Sequence, residues 1–453
     1  MAEELRKGIL GFPALLATAI GLVVASTTLV SLCQGMGLGG YAFILAMLIA
    51  WILMMFQAFT FSELSIAMPK AGSISSYTEV ALGHFPAIVA TIAGYITVQL
   101  LAGPAEISVA SIVIHQIFFP SVSPTLLGVL MLILFMLLNL LGVDVFAKAE
   151  IFFTVMKIFT VAVIGIIGIF GTGNPQIQYI APSVGVGGIF TFVALAVWLL
   201  IGAEFICPLV EEAKNPRRNI PLAMIAGLVI IFVLNLIFGI AAVRYVPMDK
   251  LSSSPTPHVD VAFAIMGKAG LYWAGIASFF ATAGVINTLL ASVPRMLYGM
   301  AHAGQVPSIF KWLHPRFRTP WVGILLLALG MSIQIITGIS SIETIVVFIV
   351  ASAFCWLIAY IIAHVDVIVL RKKYPNLERP FKTPFYPLPQ VLGIAGILYV
   401  MLNIFPDPKM KSEIYKYSLY FLGGGAIYAF LWCTFKMKQG YFKPVPYEEA
   451  LKE

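Results

Sequence analysis

Long apolar runs alternate with short polar connectors along the whole chain. The hydrocarbon core of a bilayer is about 30 Å thick, so a spanning helix needs roughly 20 apolar residues. Runs of this kind predict twelve spanning helices, at 12–33, 40–66, 86–118, 124–142, 147–170, 187–212, 219–243, 267–300, 320–338, 342–370, 389–405 and 414–435. Since the connectors are too short for a separate soluble domain, we expect an all-α membrane protein with a single transmembrane domain over residues 1–453.

Two of these runs are interrupted near their middle by small or polar residues. Span one contains Ala25-Ser26-Thr27-Thr28, and span six contains Gly202-Ala203-Glu204 followed by Pro208. The two interruptions lie five spans apart, as expected for two inverted repeats of five helices, about 12–170 and 187–370, with helices 11 and 12 (about 389–435) added. Broken helices 1 and 6 would then expose backbone N–H and C=O groups at a midplane site. The alternative is that small residues simply allow close helix packing.

The composition supports a membrane location. Hydrophobic residues make up 60% of the chain and charged residues 10%, and the mean hydropathy is +0.98. Soluble domains carry about 25% charged residues, so lipid should be the main solvent of this chain. The N-terminal residues show no cleavable signal pattern, because the first apolar segment runs straight into further spans. We expect the N-terminus to be retained.

The distribution of basic residues predicts the orientation. The net charge is +7, but the basic residues are scattered over short loops, which argues against nucleic acid as a partner. With a cytoplasmic N-terminus, nineteen Lys and Arg residues fall on inside segments and six on outside segments; the six are Arg244, Lys250, Lys268, Lys409, Lys411 and Lys416. The positive-inside rule therefore places both termini in the cytoplasm of a cell that carries this protein in its plasma membrane.

The sequence offers no motif for enzymatic chemistry. It contains no HExxH, GxSxG or P-loop pattern, which excludes the common hydrolases and an ATP-driven pump. The four cysteines lie in apolar stretches and the six histidines show no metal-ligand spacing. We therefore expect no enzyme activity, no cofactor and no metal.

Three ionisable residues lie deep inside spans, where each costs roughly 2.5 to 3.5 kcal/mol on insertion scales and marks a functional candidate. They are Glu106, Lys157 and Glu204. The alternative for each is a structural role, either in a buried ion pair or as a neutral group. Because Glu204 belongs to a broken helix, we expect it to be the more important carboxylate. Glu63 and Glu150 lie nearer the span ends, which favours a structural or gating role for them.

Around these residues the sequence resembles the amino acid–polyamine–organocation family of secondary transporters. The segments that carry the resemblance are FSELSIAMPKAGSISSYTEVALG, EEAKNPRRNIP and SVPRMLYGMAHAGQVPSIF followed by HPRFRTP. It implies a leucine-transporter-type fold with an amino acid or amine held between helices 1, 3, 6, 8 and 10. The substrate-binding positions expected from the pattern and the resemblance are Ala25, Ser26, Thr27, Tyr95, Glu106, Trp198, Gly202, Ala203, Glu204, Phe205 and Phe279.

Helix 1 departs from the family pattern. Family members that bind amino acids usually carry Gly-Ser-Gly in its unwound part, where bare N–H groups grip the substrate carboxylate, whereas this chain has Ala25-Ser26-Thr27. A β-branched threonine resists the positive φ angles that glycine permits. Trp198, Glu204 and Tyr95 match positions used by family antiporters of basic amino acids and polyamines, and the helix-six segment also resembles ethanolamine-type permeases.

Lys157 matches a position where several family members place a lysine whose ammonium occupies the sodium site of sodium-driven relatives. The resemblance therefore implies sodium independence, with Lys157 and Glu204 as the coupling residues. We expect a secondary transporter of small amino acids or amines, coupled to protons or exchanging, with a preference for cationic substrates, acting as a monomer or homodimer in the lipid bilayer. The alternatives are a neutral amino acid permease in which Glu204 only carries the proton, and a transporter-like nutrient sensor.

Overall fold

The computed structural model describes residues 4–177, 186–337, 342–405 and 407–451. The described chain is helical almost throughout, and the one strand-like pairing among these residues is an isolated parallel bridge between Leu10 and Ala213. The helices of the first half are α1 (Phe12–Gly21), α2 (Ser26–Gly39), α3 (Tyr41–Ala67), α4 (Ile74–Ala81), α5 (His84–Thr91), α6 (Thr97–Ile117), α7 (Pro124–Leu140), α8 (Val143–Phe170) and α9 (Val186–Trp198).

The second half begins with a 3₁₀ segment, Ala203–Glu212, and continues in helices. These helices are α10 (Pro216–Tyr245), α11 (Met248–Ser253), α12 (Pro257–Met266), α13 (Lys268–His302), α14 (Trp321–Thr337), α15 (Ile342–Lys373), α16 (Leu388–Leu402), α17 (Pro408–Trp432) and α18 (Tyr447–Ala450). A π-turn, Ile92–Ile96, joins α5 to α6, another, Cys433–Met437, follows α17, and a short 3₁₀ turn, Ser308–Lys311, precedes α14.

Each of the twelve predicted spans coincides with apolar helix in the described residues. Eight are long and apolar enough to cross a membrane, and the pair α1 and α2, bent by 55°, makes a ninth. The predicted spans four, nine and eleven are the shorter helices α7, α14 and α16, of 17, 17 and 15 residues. The last residue of the predicted ninth span, 338, lies outside the described residues.

The outer surface of the bundle is apolar, as a lipid-facing surface must be. On α7 the residues Leu126, Leu130, Leu134 and Leu137 recur at helical spacing, and each is 44 to 53% exposed. Soluble monomers rarely expose an apolar surface of this size to water. In a bilayer the same surface contacts lipid tails, which are as apolar as leucine. The protein is therefore a multi-pass membrane protein.

The connector between the predicted second and third spans contains a buried helix, α4, in which all eight residues are buried. Two of its polar side chains have partners elsewhere in the bundle: Ser75 donates to Gln305 (2.7 Å) and Thr78 to Asp366 (2.6 Å). The sequence pattern missed this helix because its buried face is polar and is satisfied by residues more than 200 positions away.

Both chain ends lie on one face of the bundle, here called the terminal face. A pocket of about 590 Å³ on this face is lined by Glu4 and Lys7 from the N-terminal segment and by Ala450 and Leu451 from the C-terminal segment. The helix α10 begins next to the Leu10–Ala213 bridge. Its 30 residues rise about 45 Å, so α11 and α12 after it belong to the opposite face.

Candidate functional site

The breaks in spans one and six meet at the centre of the bundle. Between α1 and α2 the chain leaves the helix over residues 22–25, and Gly202 begins the 3₁₀ segment of span six with φ of +125°. A β-carbon at Gly202 would lie 2.8 Å from Leu22 and 3.1 Å from Trp356. The strained φ and the close approach to the first break both require glycine at this position.

A small central cavity of about 30 Å³ lies at these breaks. It is lined by Leu22, Val23, Ala25, Thr27, Thr28, Val98, Ala102, Glu106, Trp198, Ile201, Val285, Leu289 and Trp356. A larger cavity of about 360 Å³, here called the vestibule, lies toward the opposite face, where Ser252 and Thr256 line it. Trp198 and Thr27 line both cavities, so the Trp198 indole stands between the vestibule and the centre.

Glu106, on α6, binds the first backbone groups of α2. Its Oε1 accepts from the Ser26 N–H (2.8 Å) and its Oε2 from the Thr27 N–H (3.1 Å). The Thr282 hydroxyl on α13 donates to Oε1 at 2.6 Å. The first N–H groups of any helix lack intrahelical partners and attract anions. At the start of α2 the anion is the Glu106 carboxylate of the protein itself.

Glu204 lies outside the lining of the central cavity. Its carboxylate accepts from the Trp356 indole N–H (2.8 Å) and from the Tyr360 hydroxyl (2.6 Å), both on α15. Its side chain is 3% exposed. Glu106 lines the cavity, whereas Glu204 sits behind Trp356 as a link between the break of span six and α15. That Glu204 is the more important carboxylate stays a prediction.

Lys157, on α8, is fully buried and binds both broken and unbroken helices. Its ammonium donates to the carbonyl oxygens of Gly21 (2.7 Å), Val24 (3.2 Å) and Ala281 (3.3 Å). Gly21 ends α1 at the break of span one, Val24 lies within that break, and Ala281 belongs to α13. An ammonium has three N–H donors, and each has a carbonyl partner here.

Two glycines leave room for Lys157 and for Glu150, a buried carboxylate on the same helix. A β-carbon at Gly284 would lie 2.3 Å from the Lys157 Nζ, and one at Gly21 would lie 1.9 Å from the Glu150 Oε1. Glu150 in turn accepts from the Asn287 side-chain amide at 2.6 Å. In the sequence Glu150 lies near the end of a predicted span, so its proximity to the ammonium site could not be predicted.

The aromatic residues expected in the site divide into two groups. Phe205 packs between Tyr95 (ring centroids 4.8 Å apart) and Trp356 (5.2 Å), close to the break of span six. The buried Tyr95 hydroxyl has no hydrogen-bond partner among the described residues. Phe279 is not brought to the cavity: it packs against Phe135 and Phe280, so it offers no aromatic face to a ligand there.

Comparison with known proteins identifies the family. The amino acid permease family profile matches residues 10–431. The chain belongs to the amino acid permease family. Among its relatives, the serine/threonine exchanger SteT of Bacillus subtilis (strain 168) is 24% identical to this permease over 79% of this chain and 81% of its own. The branched-chain amino acid permease BcaP of the same organism is 24% identical over 89% of both chains.

A solved structure shows the fold of the permease. A Na⁺-coupled sialic acid symporter in an outward-open state matches 88% of this chain and 90% of its own, with a TM-score of 0.57 and 12% identity. The permease therefore has the leucine-transporter-type fold predicted above. Because the chain belongs to the amino acid permease family, it is a membrane transporter and not an enzyme.

On the terminal face, a buried ion pair joins α13 to the end of span six in the permease. Arg295 on α13 donates to both oxygens of the Glu212 carboxylate, and each side chain is 1% exposed. The Glu212 carbonyl accepts from the N–H groups of Ile9 and Leu10. This cluster ties α13, the end of span six and the segment before α1 together. Glu63, for which a structural role was expected, pairs with Arg371 at 2.7 Å on the same side of the bundle.

Proposed function

We propose that this permease is a sodium-independent secondary transporter of small amino acids or amines in the plasma membrane. The observation that carries the proposal is the position of the Lys157 ammonium among three carbonyl oxygens, two of them at the break of span one. Carbonyl oxygens in such a cluster are ligands that a hard cation would take. Here an amino group of the protein already occupies them.

A sodium ion at this position would meet the positive charge of Lys157 in a region with little water to screen it. The ammonium also bridges α1 and α13, the two elements that a bound cation would otherwise connect. Lys157 therefore holds the break of span one against α13 without an ion, and transport needs no sodium gradient.

The charge of the central cavity favours a cationic substrate. Glu106 is the one charged residue among the described residues that line the cavity, and the indole of Trp198 offers a face to which a cation binds. A substrate with a positive group and a short body would enter from the vestibule, pass Trp198 and lie against Ala25 and Thr27.

Glu204 is proposed as the group that takes up and releases the coupling proton. Its carboxylate connects the break of span six with Trp356 and Tyr360 on α15. A change in its protonation alters these two contacts directly and thereby the packing of the two elements.

The second candidate function is a neutral amino acid permease in which Glu204 only carries the proton. The specific observation in its favour is that relatives of this chain are named for serine and threonine and for branched-chain amino acids. In this case a zwitterion would bind, with its ammonium near Glu106.

We propose further that the terminal face is the cytoplasmic one. The excess of Lys and Arg on the segments of this face is the pattern of the positive-inside rule. The vestibule then faces outward, and the Arg295–Glu212 pair closes the path to the cytoplasm.

The experiment that tests the proposal is uptake into proteoliposomes containing the purified protein. Radiolabelled serine, leucine, lysine and ethanolamine are offered separately, at constant pH, with sodium chloride or choline chloride outside. We expect saturable uptake of at least one compound at equal rates in both salts. Uptake that stops when choline replaces sodium would refute sodium independence, and no uptake of any compound would favour the sensor alternative.

A further inference from the structure

The substrate-facing N–H groups of the first break are already bound by the protein. The helix α2 begins at Ser26, and its first intrahelical bond runs from Leu29 N–H to the Ala25 carbonyl. The N–H groups of Ser26 and Thr27 both go to Glu106. The N–H of Ala25 goes to the Thr28 hydroxyl at 2.9 Å. The N–H groups of Ala25, Ser26 and Thr27 at this helix start are therefore bound by side chains of the chain itself.

The described lining of the central cavity offers a substrate carboxylate no cationic partner; its one buried side-chain donor without a partner is the neutral indole N–H of Trp198. Among the described residues that line the cavity there is no Lys, Arg or His, and the single charge is the Glu106 carboxylate. The nearby Lys157 ammonium donates its three N–H groups to carbonyl oxygens. A substrate carboxylate would therefore lie beside a carboxylate of like charge, in a site of low dielectric where repulsion is strong.

A substrate ammonium, in contrast to a substrate carboxylate, can bind the Glu106 carboxylate. A carboxylate has about four lone-pair sites, and Glu106 uses three of them, two on Oε1 and one on Oε2. The remaining site on Oε2 is available to a donor from the substrate. The other lining residues are mostly aliphatic, with two indoles from Trp198 and Trp356.

We propose that the substrate is a small monoamine that carries no carboxylate, with its ammonium on Glu106 and a short apolar body against the aliphatic wall and the two indoles. Glu106 takes the place at the α2 start that a substrate carboxylate would need. Because the lining offers one carboxylate and the Glu204 carboxylate is held by Trp356 and Tyr360, a monoamine is favoured over a diamine. This inference rests on the proposed transport function of the same site and narrows its substrate class.

The test uses pairs of compounds that differ only in the carboxylate. Binding to the purified full-length protein is measured by calorimetry for isobutylamine and valine, isoamylamine and leucine, and ethanolamine and serine, with putrescine as the diamine. We expect at least one amine to bind more than about tenfold tighter than its amino acid partner, and putrescine to bind more weakly than that amine.

Two variants of Glu106 sharpen the test. Glu106→Ala vacates the N–H groups of Ser26 and Thr27, so the ratio of amine to amino acid affinity should shift by more than about tenfold toward the amino acid. Glu106→Gln keeps the size of the side chain but removes its charge. It should weaken amine binding without strengthening amino acid binding. Glu413→Gln, on an exposed carboxylate of α17, is the control and should behave as the wild type.

The outcomes separate the inference from the proposed function. If no amine binds more tightly than its amino acid partner in the wild type while at least one amino acid binds, the inference is wrong and the transport function stands. If no compound binds and none is taken up by proteoliposomes, both are wrong. Should the Glu106 variants fail to fold, the ranking of the pairs in the wild type decides alone.

Discussion

The Lys157 ammonium lies 2.7 Å from the carbonyl oxygen of Gly21, the last residue of α1. It joins the end of a broken helix to the middle of an unbroken one, and a third partner, Ala281, adds α13. A fixed charge of the protein thus holds three helices together at the point where the first break begins.

Replacing Lys157 should therefore impair transport more than binding. Lys157→Ala leaves three buried carbonyl groups without their donor and frees the break of span one from α13, whereas the cavity lining remains intact. We expect uptake to fall more than about tenfold, with substrate affinity within about threefold of the wild type. Lys148→Ala, on an exposed position of the same helix, is the control. A loss of affinity as large as the loss of uptake would contradict this role.

Glu204→Gln should change the pH dependence of transport and leave binding nearly unaffected. The carboxamide keeps the size of the carboxylate behind Trp356 but cannot take up a proton. Uptake rates measured across a pH series should be flat in the variant and pH-dependent in the wild type, while calorimetric affinities agree within about threefold. A tenfold loss of affinity with an unchanged pH profile would place Glu204 in the substrate site instead.

A side chain at Gly202 should block the site. Gly202→Ala puts a β-carbon 2.8 Å from Leu22 at a φ of +125°, which alanine adopts only with strain. We expect a lower melting temperature and no uptake. Gly423→Ala, where a β-carbon meets nothing within 4 Å, is the matched control and should leave both measurements unchanged. Wild-type uptake in Gly202→Ala would show that the two breaks do not need this close contact.

Much of this architecture could be predicted from hydropathy alone, because lipid selects long apolar runs regardless of what they pack against. The two breaks were also visible, since Gly202 and the small polar residues around Ser26 interrupt such runs. The partners of the carboxylates were not visible. Glu106 binds an N–H group 80 positions away in the chain. The direction of the Glu204 side chain depends on where the 3₁₀ segment begins, and the hydropathy pattern does not predict that position.

The Arg295–Glu212 pair should be essential for stability on the terminal face. Removing one partner of a buried ion pair leaves an uncompensated charge and costs about 3 to 5 kcal/mol. We expect Glu212→Gln to lower the melting temperature by several degrees. Glu378→Gln, which breaks the exposed pair with Arg217, should have no measurable effect, since exposed pairs contribute little. Equal melting temperatures of the two variants would contradict the structural role of the buried pair.

Topology can be tested with single cysteines placed near Lys250 and near Lys373. The first lies in α11 on the face opposite the termini, and the second ends α15 on the terminal face. In intact cells an impermeant thiol reagent should label the site near Lys250 and leave the other unlabelled until the membrane is opened. The reverse pattern would place the termini outside.

The position of Lys157 is tested most directly by equilibrium binding of radioactive sodium to the purified protein, in the presence and absence of a transported substrate. If the ammonium occupies the cation position, the wild type shows no saturable sodium binding under either condition, and the melting temperature is the same in sodium chloride and choline chloride at constant ionic strength. Saturable binding of about one sodium ion per chain, strengthened by substrate, would contradict the account.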